Sequence, residues 1–194
     1  MNDSVQLFQN EQLDISALPK VADLQMLPLE ERYKSVLLIG RSIFTLILAC
    51  LVTAFYIIPP EDEVPMMARY IAIGLFIIYA IWGFIKTIKG FAHKAYALRE
   101  KDIVYQTGWL WKETTTAPFN RVQHVSIDQG PIERQFDLAK LKIFTAGGKA
   151  SDMSIPGLSP DTANELKEYI VKKTLEEEKL MDAPPLTFVS DEEQ

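Results

Sequence analysis

Cysteine and histidine are nearly missing from this sequence: it holds one cysteine, Cys50, and two histidines, His93 and His124. A lone cysteine excludes an intrachain disulfide and a cysteine-rich metal site. Cys50 sits inside an apolar run, where a thiol serves as a small packing group. There is no Cys/His cluster, no H-E-x-x-H run and no G-x-S-x-G elbow, and neither phosphate-cradling glycine pattern surrounds Gly147-Gly148. Carboxylates are plentiful, but none forms a recognisable acid–base pair. The expectation is a protein that is not an enzyme and uses neither metal nor cofactor. An excess of positive charge is missing too. The formal net charge is -6, and the stretch after Leu175 carries all of it: Glu176, Glu177, Glu178, Asp182, Asp191, Glu192 and Glu193 stand against Lys179. The neutral remainder argues against nucleic acid as a partner. Residues 1–34 are largely polar and lack an early apolar core, so no cleavable signal peptide is expected.

What the chain does have is hydrophobicity gathered in one place. The overall apolar fraction of 48% is ordinary, but the long apolar runs lie between Val36 and Ile88. The first, Val36 to Ile58, has 23 residues and one charge, Arg41, near its start. At about 1.5 Å per residue it covers a hydrocarbon core of about 30 Å with some tilt. Arg41 is expected to snorkel to the headgroups, and Pro59-Pro60 to stop the helix. The second apolar run extends from about Met66 to Ile85, and its span is placed over residues 66–88. Arg69 sits near its outer end, and Lys86 and Lys89 close the inner one. Tyr56, Tyr70 and Trp82 fall near the two interfaces. Core helices of soluble proteins rarely run 20 residues without a polar face, so a transmembrane hairpin over residues 35–90 is predicted.

Charge placement gives its orientation. Arg32, Lys34 and Arg41 flank the start of the first span, and Lys86, Lys89, Lys94 and Arg99 follow the second. The connecting loop carries Glu61, Asp62 and Glu63 before Arg69. Both termini are therefore expected in the cytoplasm of a cell with an inner membrane. Thr45, Ala49 and Thr53, spaced four apart, form a small-residue face that either packs the hairpin on itself or receives another membrane subunit.

After Ala95 the pattern turns to short β-rich runs. Strands are predicted near Tyr96–Arg99, Ile103–Thr107, Trp109–Thr115, Val122–Ile127, Leu141–Thr145 and Met153–Ile155. Glu100-Lys101-Asp102, Gly108 and Gly147-Gly148 supply turns. Ser159 is a natural N-cap ahead of Pro160 and Asp161, and Ala163, Leu166 and Ile170 recur at helical spacing, so a helix to about Glu177 is expected. A tail over residues 178–194, with Pro184-Pro185, reads as loose. Leu24, Met26, Leu27 and Leu29, in the N-terminal segment 1–34, lie either along the membrane or against the domain; the sequence leaves both open. Short strands followed by one amphipathic helix suggest a small barrel or sandwich capped by that helix.

The stretch APFNRVQHVSIDQGPIERQFDLAKLKIFTAGG, Ala117 to Gly148, followed by SIPGLSPDTANEL, Ser154 to Leu166, closely resembles the bacterial pleckstrin-homology-like membrane proteins of the YdbS type. The preceding two-span hairpin is similar as well. The likeness covers about 70% of the chain, leaving out the first 30 residues and the acidic tail. It implies an α+β membrane protein: a two-helix transmembrane hairpin, then a pleckstrin-homology-like (PH-like) antiparallel β barrel with a C-terminal capping helix over residues 91–177. It implies no reaction.

Candidate contact residues divide into two sets. Lys86, Lys89, Lys94, Arg99 and Lys101 form a juxtamembrane basic set that suits anionic lipid. Arg121, Gln123, His124 and Arg134 lie within the resembling stretch. On a regular strand Gln123 and His124 point to opposite faces, so a shared polar patch requires a bulge. These four contact either a partner or headgroup, or else fix neighbouring loops; Arg134 has Glu133 and Asp137 within reach of such a role. The expected function is a membrane-anchored interaction module, a non-catalytic subunit or scaffold of a membrane complex. The alternative is a module that binds anionic lipid headgroups. Expected partners are the bilayer and another membrane protein, either a larger relative with several PH-like domains or a second copy of this chain.

Overall fold

The computed structural model describes residues 24–58, 64–147 and 152–181. The Pro59-to-Glu63 loop, Gly148 of the Gly147-Gly148 turn, the first 23 residues and the acidic tail beyond Met181 lie outside these residues.

Two long helices come first. Helix α1 is Arg32–Ile57 and helix α2 is Met66–Phe91, each of 26 residues. Both are long and apolar enough to cross a membrane. Their outward side chains, among them Phe44, Leu46, Leu51, Leu75 and Ile78, are exposed, as lipid-facing residues must be. Beyond Ile85, α2 continues for about 9 Å toward the rest of the protein.

Each helix sends one arginine into the other. Arg41 of α1 donates from Nη1 to the Tyr79 hydroxyl (3.1 Å) and from Nη2 to the Tyr79 carbonyl (3.0 Å), with its guanidinium 4.5 Å from the ring centroid. Arg69 of α2 donates to the Tyr56 carbonyl (3.0 Å) and lies 5.8 Å from that ring. The expectation that Arg41 snorkels outward is thus corrected: it crosses to the neighbouring helix. A guanidinium at membrane depth needs protein partners, and Gly83 opens the space it occupies, where a Cβ would collide with it. Thr45 and Thr53 return their hydroxyls to the carbonyls of Arg41 and Ala49 (both 2.8 Å). Thr45 and Ala49 are half-buried and Thr53 is exposed, so the three do not make one closed seam.

The remaining chain forms two antiparallel sheets rather than a closed barrel, in the manner of a PH-like sandwich. Strand β1 (Leu27–Pro28) precedes α1 and pairs with β2 (Ala95–Leu98). The first sheet continues with β3 (Asp102–Thr107) and β4 (Glu113–Pro118), in the order β1-β2-β3-β4. After a 3-10 turn at Phe119–Arg121, the second sheet has the order β5-β6-β7: β5 (Val122–Asp128), β6 (Ala139–Thr145) and β7 (Met153–Leu158). Helix α3 (Pro131–Gln135) joins β5 to β6, and helix α4 (Pro160–Met181) closes the chain. The strand expected from Trp109 begins at Glu113 instead, because residues 109–112 belong to a tight turn.

Strand β6 shows why the sheets fold as they do. Ala139, Leu141, Ile143 and Thr145 are buried while Lys140, Lys142 and Phe144 alternate outward. The inward residues join Ile103, Phe119, Leu138 and Ile155, all with essentially no exposure. Helix α4 covers them with Ala163, Leu166 and Ile170, the stripe read from sequence. Ser159 caps it: its Oγ accepts the Thr162 amide at 3.1 Å.

The same core extends into the segment before α1. Leu29 of that segment and Tyr33 in the first turn of α1 are buried in it, and Val36, Leu37 and Phe91 pack on its edge. The Glu30 amide donates to the Gly157 carbonyl at 2.9 Å. Gly157 has φ of +68°, and a Cβ there would strike the Tyr33 ring, so glycine is required on both counts. Of the two options open to the N-terminal leucines, Leu29 therefore takes the domain, while Leu27 remains half exposed.

Candidate functional site

Two features meet at the inner end of α2. The first is the β3–β4 turn, Gly108 to Lys112. Gly108 adopts φ of +96°, and a Cβ on it would run into the Trp111 carbonyl. This turn throws Trp109 back onto α2. Its ring centroid lies 6.3 Å from that of Trp82, and the Lys89 ammonium stands 4.7 Å over its face. At the tip, Leu110 and Trp111 are 54% and 84% exposed. Trp82 to Lys89 spans about 10 Å of helix, so the turn stands against the inner end of the apolar run.

The second feature is a cleft of about 540 Å³ behind this turn, lined by Arg41, Gly83, Lys86, Lys94, Thr107 and Trp109 among others. Lys94 donates to Thr107 Oγ1 (3.1 Å) and to the Tyr105 hydroxyl (3.5 Å). Burial holds its ammonium below the usual lysine range and pushes the Tyr105 phenol up. Among the described residues, no carboxylate forms an ion pair with Arg41, Lys86, Lys89 or Lys94. The buried Arg41 Nε likewise has no hydrogen-bond partner among them.

The basic set read from sequence is thereby divided. Lys86 and Lys94 line the cleft, and Lys89 stands over the Trp109 ring. Arg99 and Lys101 lie at the far end of the β2–β3 hairpin, about 15 Å along the strand from Lys94. Arg99 is paired with Asp102, and the Lys101 carbonyl accepts the Phe119 amide (3.0 Å).

Arg121, Gln123 and His124 gather elsewhere, on and beside β5. The bulge that a shared patch requires is present: the β5–β6 register shifts between Val122 and His124, and both Gln123 and His124 are exposed. The His124 ring stacks on Phe144 (5.7 Å, 26°). A groove of about 510 Å³ runs beside this bulge, bounded by Val171, Thr174 and Leu175 of α4. Strand β5 is the edge of its sheet there. Arg121, in the 3-10 turn, is exposed, and Arg134, on α3, is exposed and apart from both places.

Trp109, Leu110 and Trp111 were not among the candidates drawn from sequence. Their signal is legible in retrospect: two tryptophans around a leucine, with a glycine before and a lysine after, are interfacial residues on a turn as readily as strand residues.

A hairpin of membrane-capable helices carrying a two-sheet sandwich closed by one helix defines a membrane-anchored PH-like module. The family model described as "Bacterial PH domain" matches residues 37–174, and the chain belongs to that family. It is similar to the UPF0699 transmembrane protein YdbS of Bacillus subtilis (strain 168), with 37% identity over 75 residues. That match covers 39% of this chain and 45% of the relative, less than half the length of each. No solved structure matches the chain.

Proposed function

We propose that this chain is a non-catalytic interaction module of the cytoplasmic (inner) membrane, whose PH-like domain engages the anionic cytoplasmic leaflet beside its own hairpin. One observation carries the reading: the Trp109-Leu110-Trp111 turn packs on Trp82 and Lys89 of α2 while its apolar tip stays uncovered. An uncovered leucine and tryptophan there gain by entering the headgroup–acyl boundary. Lys86, Lys89 and Lys94 around them favour an anionic surface by about 1 kcal/mol each. The same lysines, set against Glu61, Asp62 and Glu63 in the connecting loop, support cytoplasmic termini. The test is quenching of Trp111 fluorescence in a chain carrying Trp82→Phe and Trp109→Phe, placed in nanodiscs with brominated acyl chains. Strong quenching by the lipid is expected. Quenching by aqueous acrylamide alone would overturn the reading.

A second reading, a subunit or scaffold of a membrane complex, draws on the open edge of β5 beside α4. Edge strands with an adjoining groove accept an extended segment of a partner as an added strand. The partner in this reading is another membrane protein, either a larger relative with several PH-like domains or a second copy. Photo-crosslinking from position 123 in native membranes tests it: a reproducible protein adduct supports the reading, and lipid or no adduct removes it.

A further inference from the structure

We propose that the cleft between the inner end of α2 and the β3–β4 turn holds the phosphate of a single anionic membrane phospholipid, with Lys86 and Lys94 as its charged contacts. This rests on the reading that the turn lies in the leaflet, and it adds a defined, one-lipid site to a diffuse surface attraction.

Charge gives the first argument. Lys86, Lys94 and Arg41 surround the cleft with no ion-pairing carboxylate among the described residues, whereas elsewhere Lys140, Lys142 and Lys173 each have one. Lys94 and Arg41 are half-buried while Lys86 is exposed; a half-buried cation without a counter-charge is costly, and an anion beside it relieves that cost. Burial of Lys94, which lowers its proton affinity, points the same way: an arriving phosphate favours the charged form.

Shape gives the second. A volume of about 540 Å³ accommodates a headgroup and its first carbons. Gly90 lines the cleft with nothing within 4 Å of where its Cβ would stand, so the space above it is open. Leu37, Phe91 and Leu110 supply apolar wall that a soluble phosphate cannot use and an acyl chain can. With the turn in the leaflet, the site stands at the depth of phospholipid phosphates, beside Trp82 and Trp109. These features together select a lipid over a free anion.

The experiment uses the full chain, reconstituted in phosphatidylcholine bilayers containing phosphatidylglycerol, then released in mild detergent and weighed by native mass spectrometry. One phosphatidylglycerol per chain is expected to remain bound, and phosphatidylcholine is not. Lys86→Gln and Lys94→Gln should each lower retention about fivefold. Gly90→Leu, which fills the cleft and leaves every charge in place, should abolish it. Lys101→Gln, at the far end of the β2–β3 hairpin, should leave it unchanged. Equal retention of both lipids, displacement by soluble glycerol phosphate, or full retention in Gly90→Leu would each overturn the proposal. Trp111 quenching in the same nanodiscs separates the two readings. If quenching persists while retention ignores the headgroup, the cleft falls and the surface reading stands; if quenching is absent, both fall.

Discussion

At the scale of single residues, the chain twice matches a large side chain to a glycine far away in sequence. Arg41 occupies the space left by Gly83 and Tyr33 the space left by Gly157, while at Gly108 the space is taken locally by the Trp111 carbonyl. Lys94 belongs to the same scale, because its environment gives it a testable pH signature. It attracts a phosphate only when protonated, and burial within the cleft has lowered its pKa. Lipid retention should therefore fall as pH rises through that lowered value, below the range where a solvated lysine titrates. Tyr105 and Thr107 face Lys94 from β3, and the Tyr105 phenol is shifted upward, so it adds no negative charge in that window. Arg41 and Lys86 line the same cleft and are unaltered in Lys94→Arg. That variant keeps a charge at position 94 and should carry retention to higher pH. Superimposable profiles for the two chains in native mass spectrometry at stepped pH would remove Lys94 from the site.

At the scale of elements, local chemistry and distant partners divide the work. Helix α4 is set locally by Ser159, whose Oγ accepts the Thr162 amide and lies 2.8 Å from the Thr162 hydroxyl. Ser159→Ala should cost about 1 kcal/mol and Ser159→Asp should recover most of it, read as the thermal midpoint of the detergent-solubilised chain. The elements legible in the sequence are of this local kind: the two apolar helices, the alternating strand β6, and α4 with its cap and stripe. Those that were not legible depend on something remote. Trp109 to Lys112 have the side chains of a strand, yet Gly108 turns the chain and α2 supplies the surface on which Trp109 rests. Strand β1 is two residues long and exists because β2, nearly seventy positions later, offers an edge. Arg41 looks free to snorkel until Gly83 and Tyr79 are placed beside it. The candidate site shares this division: Lys86, Lys89 and Lys94 are contiguous enough to read from sequence, whereas their separation from Arg99 and Lys101 follows from the direction of β2.

At the scale of the whole molecule, the hairpin and the domain share one hydrophobic core. Leu29 enters it from before α1 and Tyr33 from the first turn of α1, and Phe91 reaches its edge from the end of α2, with the Tyr33 and Phe91 rings 6.5 Å apart. Burying residues of this size contributes about 2–3 kcal/mol each. A domain of this length has about 5–15 kcal/mol in total, so losing both Leu29 and Tyr33 removes a large fraction. Loss of β1 would also leave the β2 edge open. Residues 91–181 alone should therefore give a poorly dispersed NMR spectrum and no cooperative melt. Residues 24–37 joined by a short linker to residues 89–181 should restore both, since the two junctions already stand side by side. Equal stability of the two chains would mean that the segment before α1 merely rests on the domain. If the linked chain alone folds, the helices do more than tether. A lipid in the cleft then touches α2 and the β3–β4 turn of a single packed body, and whatever it does to one is felt by the other.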